Sequence, residues 1–139
     1  MGWMFLPYKR YFDFSGRSRR MEYWMFALLW VIVYIVCYGF ILSTMPSAQA
    51  LESGVGLGMT GGVAMAVLGV FALGSIIPAI AVQVRRFHDQ DKSGWFVLLN
   101  FIPFIGGLIV LVMMFLDGTP GPNRFGPDPK NRTDAGVFA

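Results

Sequence analysis

The sequence predicts an all-α membrane protein with three hydrophobic helical segments, and three observations support this fold class. Its 139 residues are enough for one compact domain. Of these residues, 55% are hydrophobic and 14% are charged, whereas about a quarter are charged in a typical soluble domain. The charged residues also lie between three long uncharged stretches rather than within them. This pattern indicates a chain whose outer surface meets lipid.

The first uncharged stretch, residues 23–45, predicts transmembrane helix 1. It is apolar on every face, which is typical of a lipid-exposed helix, and roughly 20 such residues span a bilayer core. No small-residue cleavage site clearly follows it, so we expect no cleaved signal peptide. The single cysteine, Cys37, lies inside this stretch, so an internal disulfide is impossible and no oxidising compartment is implied.

The second stretch divides into a connector and a span. Residues 46–62 are predicted to form a glycine-rich, non-cytoplasmic connector, and residues 63–84 are predicted to form transmembrane helix 2. Three glycines of the connector are four residues apart: Gly54, Gly58 and Gly62. This spacing also occurs in closely packed membrane helices, but a loop is the favoured interpretation. Three residues of the span mark a kink or a face that another helix approaches: Gly69, Gly74 and Pro78.

The third stretch, residues 95–116, allows two paths because proline and paired glycines interrupt it between Pro103 and Gly107. It forms either one kinked transmembrane helix 3 or two short helices in a re-entrant hairpin. Two arms of eight to ten residues each reach only about 12–15 Å, and the backbone of the turn needs partners within the protein. These two demands slightly favour the kinked full span.

The distribution of basic residues predicts the orientation. All eleven Lys and Arg residues lie in the amino-terminal segment 1–22, the second connector 85–94 and the tail 117–139. By the positive-inside rule, the amino terminus and second connector are cytoplasmic and the first connector is outside. A full third span puts the basic tail outside, whereas a hairpin puts every basic residue on one side.

The amino-terminal segment 1–22 interleaves aromatic and basic residues directly before a span. Such interleaving can bind nucleic acid, but beside a membrane we interpret it as an interfacial anchor among anionic headgroups. Ser18 is a candidate cap for the first helix, and Glu22 is expected either to pair with Arg19 or Arg17 or to interact with the positive end of the helix dipole. The predicted interfacial anchors are six aromatic residues: Tyr11, Phe12, Phe14, Tyr23, Trp24 and Trp95.

The second connector, residues 85–94, holds the densest polar cluster. His88, Asp89 and Asp91 lack the ligand spacing of recognised zinc sites, so we expect a tight cytoplasmic turn. In this turn the two aspartates accept backbone amides and pair with arginines, while His88 donates to a carbonyl. The pattern predicts no catalytic residue, cofactor or metal. The candidate contacts to a lipid headgroup or a partner are Arg17, Arg20, Arg85, Arg86, His88, Asp89 and Arg124.

The tail is rich in proline and glycine, which exclude a regular helix or a central strand. We expect residues 117–129 to form successive turns over the membrane surface, with Phe125 as an interfacial plug. Residues from Lys130 onward are expected to be disordered.

Three linked motifs carry a resemblance to a known family. They are Tyr11-Phe12-Asp13-Phe14-Ser15-Gly16-Arg17 with Arg20 and Glu22-Tyr23-Trp24; Val84-Arg85-Arg86-Phe87-His88-Asp89 with Lys92-Ser93-Gly94-Trp95; and Gly118-Thr119-Pro120-Gly121 with Asn123 to Pro129. In this order the chain resembles a bacterial inner-membrane family known as domain of unknown function 805. It departs at Phe87, where the family usually has leucine, and at Asp91, where it often has glycine. The resemblance implies an inner-membrane location and no particular activity.

These observations predict a non-enzymatic, multi-pass inner-membrane protein with a cytoplasmic amino terminus. Its expected role is that of an accessory or assembly subunit in a larger membrane protein complex. The alternative is an anionic-lipid-binding or small-solute-handling protein, and an oligomeric channel or transporter is less favoured because the spans contain no charged residue. The expected partners are membrane lipids and other membrane subunits, with no nucleic acid.

Overall fold

The computed structural model describes residues 2–56 and 58–131, and these residues are helical without a strand. This confirms the all-α fold class. The described residues form five α-helices and also contain 3-10 helices at Gly2–Met4 and Gly94–Phe101. The α-helices are α1 (Leu6–Lys9), α2 (Arg20–Ser43), α3 (Ala48–Glu52), α4 (Met59–Asp89) and α5 (Gly106–Phe115).

Helices α2 and α4 are long and apolar enough to cross a membrane. Their 24 and 31 residues correspond to lengths of about 36 and 46 Å, against a hydrocarbon core of about 30 Å. Only 11% of the most apolar part of each helix is buried inside the protein. A core helix of a soluble protein is mostly buried instead, so these surfaces fit contact with lipid.

Helix α4 extends beyond the predicted span of residues 63–84 at both ends. It begins at Met59, so Gly62 is helical, whereas Gly54 lies in a turn with a φ of +82° and Gly58 precedes the helix. At its other end α4 continues to Asp89. The prediction of a tight turn from residue 85 onward is therefore wrong for the first five residues, which add more than one helical turn.

The chain divides into two compact units, Ala27–Ile76 and the remainder formed by Met1–Phe26 and Ile77–Ala139. In the first of these, the Trp30 and Phe71 rings lie 5.1 Å apart. In the second, Phe87, Val110 and Met114 form a buried apolar core.

The third stretch is a re-entrant hairpin, so the slight preference for a kinked full span is wrong. Its start at Gly94 lies against Val84 and His88 of α4. Its end returns to the same place, because Arg86 donates a hydrogen bond to the Leu116 carbonyl. The Gly94–Phe101 helix and α5 pack against each other, and each reaches about 15 Å, roughly half the hydrocarbon core.

The hairpin closes through local backbone hydrogen bonds. The amide of Ile102 donates to the Leu99 carbonyl at 3.0 Å, and the amide of Gly106 donates to the Ile102 carbonyl at 3.1 Å. Phe104 takes a φ of +66° at the tip, where its side chain is fully exposed. A Cβ at Gly106 would lie 1.7 Å from the Leu99 oxygen, so only glycine fits where the arms meet. The turn therefore supplies the internal partners that a buried loop needs.

Candidate functional site

Buried charged residues gather where α4 ends. We call this group the motif cluster, and three parts of the chain contribute to it: the segment before α2 with its first turn, the last turns of α4, and the tail. Its arginines and carboxylates are equal in number, three of each, which offsets the charge that burial penalises. The motif cluster consists of Arg17, Ser18, Glu22, Arg85, Arg86, Asp89 and Asp128.

Arg85 connects α4 to the amino-terminal segment. Its Nη2 donates to Glu22 Oε1 at 2.7 Å, and its Nε donates to Ser18 Oγ at 2.9 Å. Its Nη1 donates to the Asp13 carbonyl. The amide of Ser18 in turn donates to the Arg85 carbonyl at 3.2 Å. The guanidinium is thus engaged on all three nitrogens, and its charge is paired inside the protein.

Arg17 holds the tail against α4. Its Nε donates to Asp89 Oδ1 at 2.9 Å. Its other nitrogens donate to two tail carbonyls, those of Gly121 and Thr119, each at 2.6 Å. Asp128 lies 3.9 Å from Arg17 and accepts the amide of Gly121. One buried guanidinium therefore fixes both the end of α4 and the turns of the tail.

Arg86 and Asp89 form an ion pair one helical turn apart on α4. Because Arg86 also donates to the Leu116 carbonyl, it connects α4 to the end of the hairpin. A Cβ at Gly118 would lie 2.0 Å from Asp89 Oδ2, so only glycine fits at this position. Arg86 Nε is the one buried side-chain nitrogen or oxygen without a partner in the described part of the chain.

His88 lies beside the motif cluster and contacts the tail. Its ring stacks on Phe125 with centroids 3.9 Å apart, and its Nδ1 lies 3.2 Å from the Gly16 carbonyl. Asn123 donates to the His88 carbonyl at 2.9 Å. Phe125 was predicted to be an interfacial plug, but it packs on this imidazole instead. The contact of His88 with a carbonyl agrees with the prediction.

Asp13 organises a polar turn that contacts Arg85. The Ser15 hydroxyl donates to the Asp13 carboxylate at 2.5 Å, and Arg10 Nε donates to it at 2.9 Å. These contacts, the Ser15 hydroxyl above all, lower the pKa of Asp13 from 3.8 to about 2. Asp13 is therefore ionised at neutral pH, and its backbone carbonyl accepts Arg85.

The structure brings together Arg17, Arg85, Arg86 and Asp89 of the predicted contact residues, and His88 adjoins them. Arg20 and Arg124 lie apart on the surface, where they pair with Asp117 and Asp91. The pairing of Asp89 with Arg86 of the same connector agrees with the prediction, whereas Asp91 pairs with Arg124 of the tail instead.

The predicted anchors divide into two groups. The side chains of Phe12, Phe14 and Trp95 are exposed, as an interfacial anchor needs to be. Tyr23 and Trp24 are half-buried and pack against the apolar core, and the Trp24 ring lies 4.3 Å from that of Phe115. Tyr11 is half-buried, with its ring 4.8 Å from that of Phe12.

Two expectations for the start of α2 are wrong. Glu22 pairs with Arg85 rather than with Arg19 or Arg17, because the helix directs its carboxylate toward α4. Ser18 accepts Arg85 Nε and lies two residues before the first helical residue, Arg20. The predicted disorder covers Lys130 and the following residues; Lys130 and Asn131 are placed, and residues 132–139 lie outside the described residues.

Sequence reasoning missed the parts that Gln90, Asn123 and Asp128 play. Gln90 is buried and donates to the Met113 carbonyl, which holds the last turn of α5 beside α4. Asp128 accepts the amides of Gly121 and Lys130, which shapes the tail. An Asp or Asn among prolines and glycines commonly marks a turn, so the turn itself could be predicted. The neighbouring residues do not indicate which distant segment the turn packs against.

The motif cluster holds the fold together rather than presenting groups for chemistry. Its charges are buried and paired with one another or with backbone carbonyls, so they join segments that are far apart in the chain. Within residues 2–56 and 58–131, no three His, Cys, Asp or Glu side chains are grouped so that they could hold a metal ion.

Comparison with known proteins identifies the family of the chain. A family model described as "Protein of unknown function (DUF805)" matches residues 11–127, which include nearly all of the motif cluster. The chain belongs to the DUF805 family. No solved structure matches this DUF805 protein.

Three relatives come from Escherichia coli K12, and the names of two of them state where the proteins reside. Inner membrane protein YhaH is 42% identical over 130 residues, covering 94% of this chain and 98% of YhaH. Inner membrane protein YhaI is 41% identical over 130 residues, covering 94% of this chain and 97% of YhaI. Uncharacterized protein YiiR is 24% identical over 146 residues, covering 86% of this chain and 88% of YiiR. The first two names support an integral inner-membrane location for the DUF805 protein described here.

Proposed function

We propose that this DUF805 protein is a non-enzymatic accessory or assembly subunit of a larger membrane protein complex, which it joins by binding another membrane helix through α4. One observation carries the proposal: three small residues lie on one exposed face of α4, within its first three turns. The motif cluster supports it indirectly, because its charged groups are engaged in holding the fold. A partner protein therefore has to bind the exposed surfaces of the fold.

The small-residue face consists of Gly62, Ala66 and Gly69. All three residues are exposed, and a Cβ built at either glycine meets nothing within 4 Å. At 3.6 residues per turn they lie within about 60° of one another and roughly opposite Ala64 and Ser75, which are buried. These three positions, which carry little or no side chain, are thus directed away from the described part of the chain.

The spacing of these residues suits close packing of membrane helices. Gly62 and Ala66 form a small-x-x-x-small pair, and such pairs let two helix backbones approach because no side chain separates them. Lipid tails are as apolar as leucine, so a lipid-facing position gains nothing from glycine, which weakens a helix by about 0.5–1 kcal/mol relative to alanine. Close packing of a partner helix would explain why small residues occupy these positions.

Site-specific photocrosslinking in native membranes tests the proposal. A photoreactive residue placed at Ala66 is expected to yield one discrete adduct with another membrane protein. Gly62→Leu is expected to abolish this adduct, because the new side chain separates the helices. Gly39→Leu is the matched control, since Gly39 of α2 is also exposed with nothing within 4 Å of a built Cβ. Crosslinks to lipid alone, or equal loss in both variants, would contradict the proposal.

We further infer that the protein is multi-pass with a cytoplasmic amino terminus. The positive-inside rule supports this side for residues 1–22 and 85–94. The hairpin supports the same side for the tail, because both ends of the third stretch contact the end of α4. With this orientation the ten Lys and Arg residues that the structure describes lie on one side of the membrane.

Binding of an anionic lipid is a second candidate, but it needs different residues from those first considered. Arg17, Arg85 and Arg86 are buried and paired inside the protein, so they cannot reach a headgroup without breaking the motif cluster. A lipid site therefore has to use cations that remain at the surface, and one pocket offers them.

A further inference from the structure

An open pocket of about 420 Å³ lies at the first turn of α2, outside the motif cluster. We call it the basic pocket. Three cationic side chains and two apolar ones line it: Arg19, Arg20, Lys130, Met21 and Trp24. Its position directly before the apolar run of α2 places it at the level of lipid headgroups, where tryptophan and arginine are both favoured.

The basic pocket carries an excess of positive charge. Asp117 pairs with Arg20 at 3.2 Å and also with Lys130. Among the described residues it is the one carboxylate within ion-pair distance of these three cations. Three positive charges against one negative leave a net charge of about +2, which suits an anion.

The protein itself holds two of these cations in place. Arg19 Nε donates to the Pro129 carbonyl at 2.5 Å, and Arg20 Nη1 donates to the Phe115 carbonyl at 3.1 Å. Arg20 Nη2 also pairs with Asp117. Each guanidinium has N–H groups beyond those engaged in these contacts, and its planar fork suits the oxygens of a phosphate. Because the side chains are already positioned, less conformational entropy is lost when an anion binds.

The apolar wall distinguishes a lipid from a free anion. The side chain of Met21 is 55% exposed, and Trp24 packs on Phe115 of the hairpin. A phosphodiester headgroup can bind the cations while its glycerol and first acyl carbons contact these two side chains. Inorganic phosphate cannot use them.

We propose that the basic pocket binds the phosphodiester headgroup of an anionic phospholipid. This proposal does not depend on a partner helix at α4, since the residues, the ligand and the test all differ. It replaces the buried arginines with Arg19, Arg20 and Lys130 as the residues that contact the headgroup.

Lipid binding to the purified full-length protein in nanodiscs tests the proposal. The nanodiscs contain phosphatidylcholine with a minor fraction of either phosphatidylglycerol or cardiolipin, and the lipid retained by the protein is measured by native mass spectrometry. We expect selective retention of the anionic lipid. Lys130→Gln is expected to weaken retention about fivefold, since each basic residue near the surface contributes a factor of this size.

Three further variants keep the test independent of folding. Met21→Glu adds a carboxylate to the pocket at an exposed position and is expected to abolish selectivity, whereas Met21→Gln retains most of it. Arg124→Gln, which removes an exposed arginine outside the pocket, is the control and is expected to leave retention unchanged. No anionic selectivity, or equal loss in Arg124→Gln and Lys130→Gln, overturns the proposal. Displacement of the lipid by inorganic phosphate at comparable concentration indicates a free-anion site and also overturns it.

Discussion

Arg85 and Glu22 depend on each other because both are taken out of water. Burial of a single charge costs several kcal/mol, and the partner charge 2.7 Å away offsets this cost only while both are present. The exposed Arg124–Asp91 pair is different, since water solvates each charge whether or not the other is there. Loss of one partner is therefore expected to cost far more stability at the buried pair than at the exposed pair.

We predict that Glu22→Gln destabilises the protein by about 3–5 kcal/mol, because Arg85 is left buried without its counter-charge. Arg124→Gln is predicted to cost less than about 1 kcal/mol. Unfolding in mixed micelles, followed by circular dichroism, measures both values. Similar stability of the two variants would show that the motif cluster does not hold the fold.

Gly106 and Gly107 provide a test of the hairpin at adjacent residues. We predict that Gly106→Ala destabilises the protein by about 1–3 kcal/mol, since its Cβ would lie 1.7 Å from the Leu99 oxygen and the arms must separate. A Cβ at Gly107 meets nothing within 4 Å, so Gly107→Ala is expected to be neutral or to stabilise α5 by at most about 1 kcal/mol. The same unfolding measurement applies, and a tolerated Gly106→Ala argues against close contact of the arms.

Asp13 gives a prediction about pH. Its pKa is lowered in the folded protein from 3.8 to about 2, so its contribution to stability is present above pH 3.8 and is lost as the pH falls toward 2. Ser15→Ala removes the largest cause and is predicted to raise this pKa toward 3.8. Carboxyl NMR titration of the labelled protein in micelles measures the change, with Thr44→Ala as a control that leaves Asp13 untouched. An unchanged midpoint in Ser15→Ala contradicts the assigned cause.

At the scale of whole elements, the two long helices could be predicted from sequence and the third stretch could not. Uncharged runs of sufficient length are a local signal, and they located α2 and α4 within a few residues. Pro103, Gly106 and Gly107 are compatible with both a kink and a turn. The deciding contacts, Gly106 against Leu99 and Arg86 to Leu116, join residues that no local pattern relates.

The continuation of α4 beyond residue 84 was not predicted, for a related reason. In the sequence, Arg85 and Arg86 follow directly after an apolar run, and a basic pair after a span is usually a solvated connector. Here the helix continues to Asp89 because the guanidinium groups find partners that are 63 and 30 residues away, in Glu22 and Leu116. Pairings of this kind depend on the assembled fold.

Arg86 allows the link between α4 and the hairpin to be tested. Arg86→Lys keeps a charge for Asp89, but its single ammonium group cannot also reach the Leu116 carbonyl in the manner of the guanidinium fork. We predict faster amide hydrogen exchange in residues 113–119, with little change in α2. Arg124→Lys is the matched control and is expected to leave this segment unchanged. Unaltered exchange in Arg86→Lys would mean that the hairpin end is held by other contacts.

At the scale of the whole molecule, charge and apolar surface are separated. Except for Glu52 of α3, the described charged residues lie before residue 23 or after residue 84, while side chains such as Val70 and Leu73 of α4 are more than 70% exposed. In water such a surface is unfavourable, but in a bilayer it is solvated by lipid. The fold thus combines a lipid-facing surface with an internally paired polar end, and the hairpin makes this possible by returning the tail.

The side of the membrane on which the tail lies tests the re-entrant hairpin most directly. In a Cys37→Ser chain, single cysteines at Lys9, Gln49 and Pro122 are labelled with a membrane-impermeant maleimide in sealed vesicles of known orientation. A hairpin predicts that Lys9→Cys and Pro122→Cys are labelled from the same side and Gln49→Cys from the other. Labelling of Pro122→Cys together with Gln49→Cys would mean that the third stretch crosses the membrane, and it would contradict the return of the tail to α4.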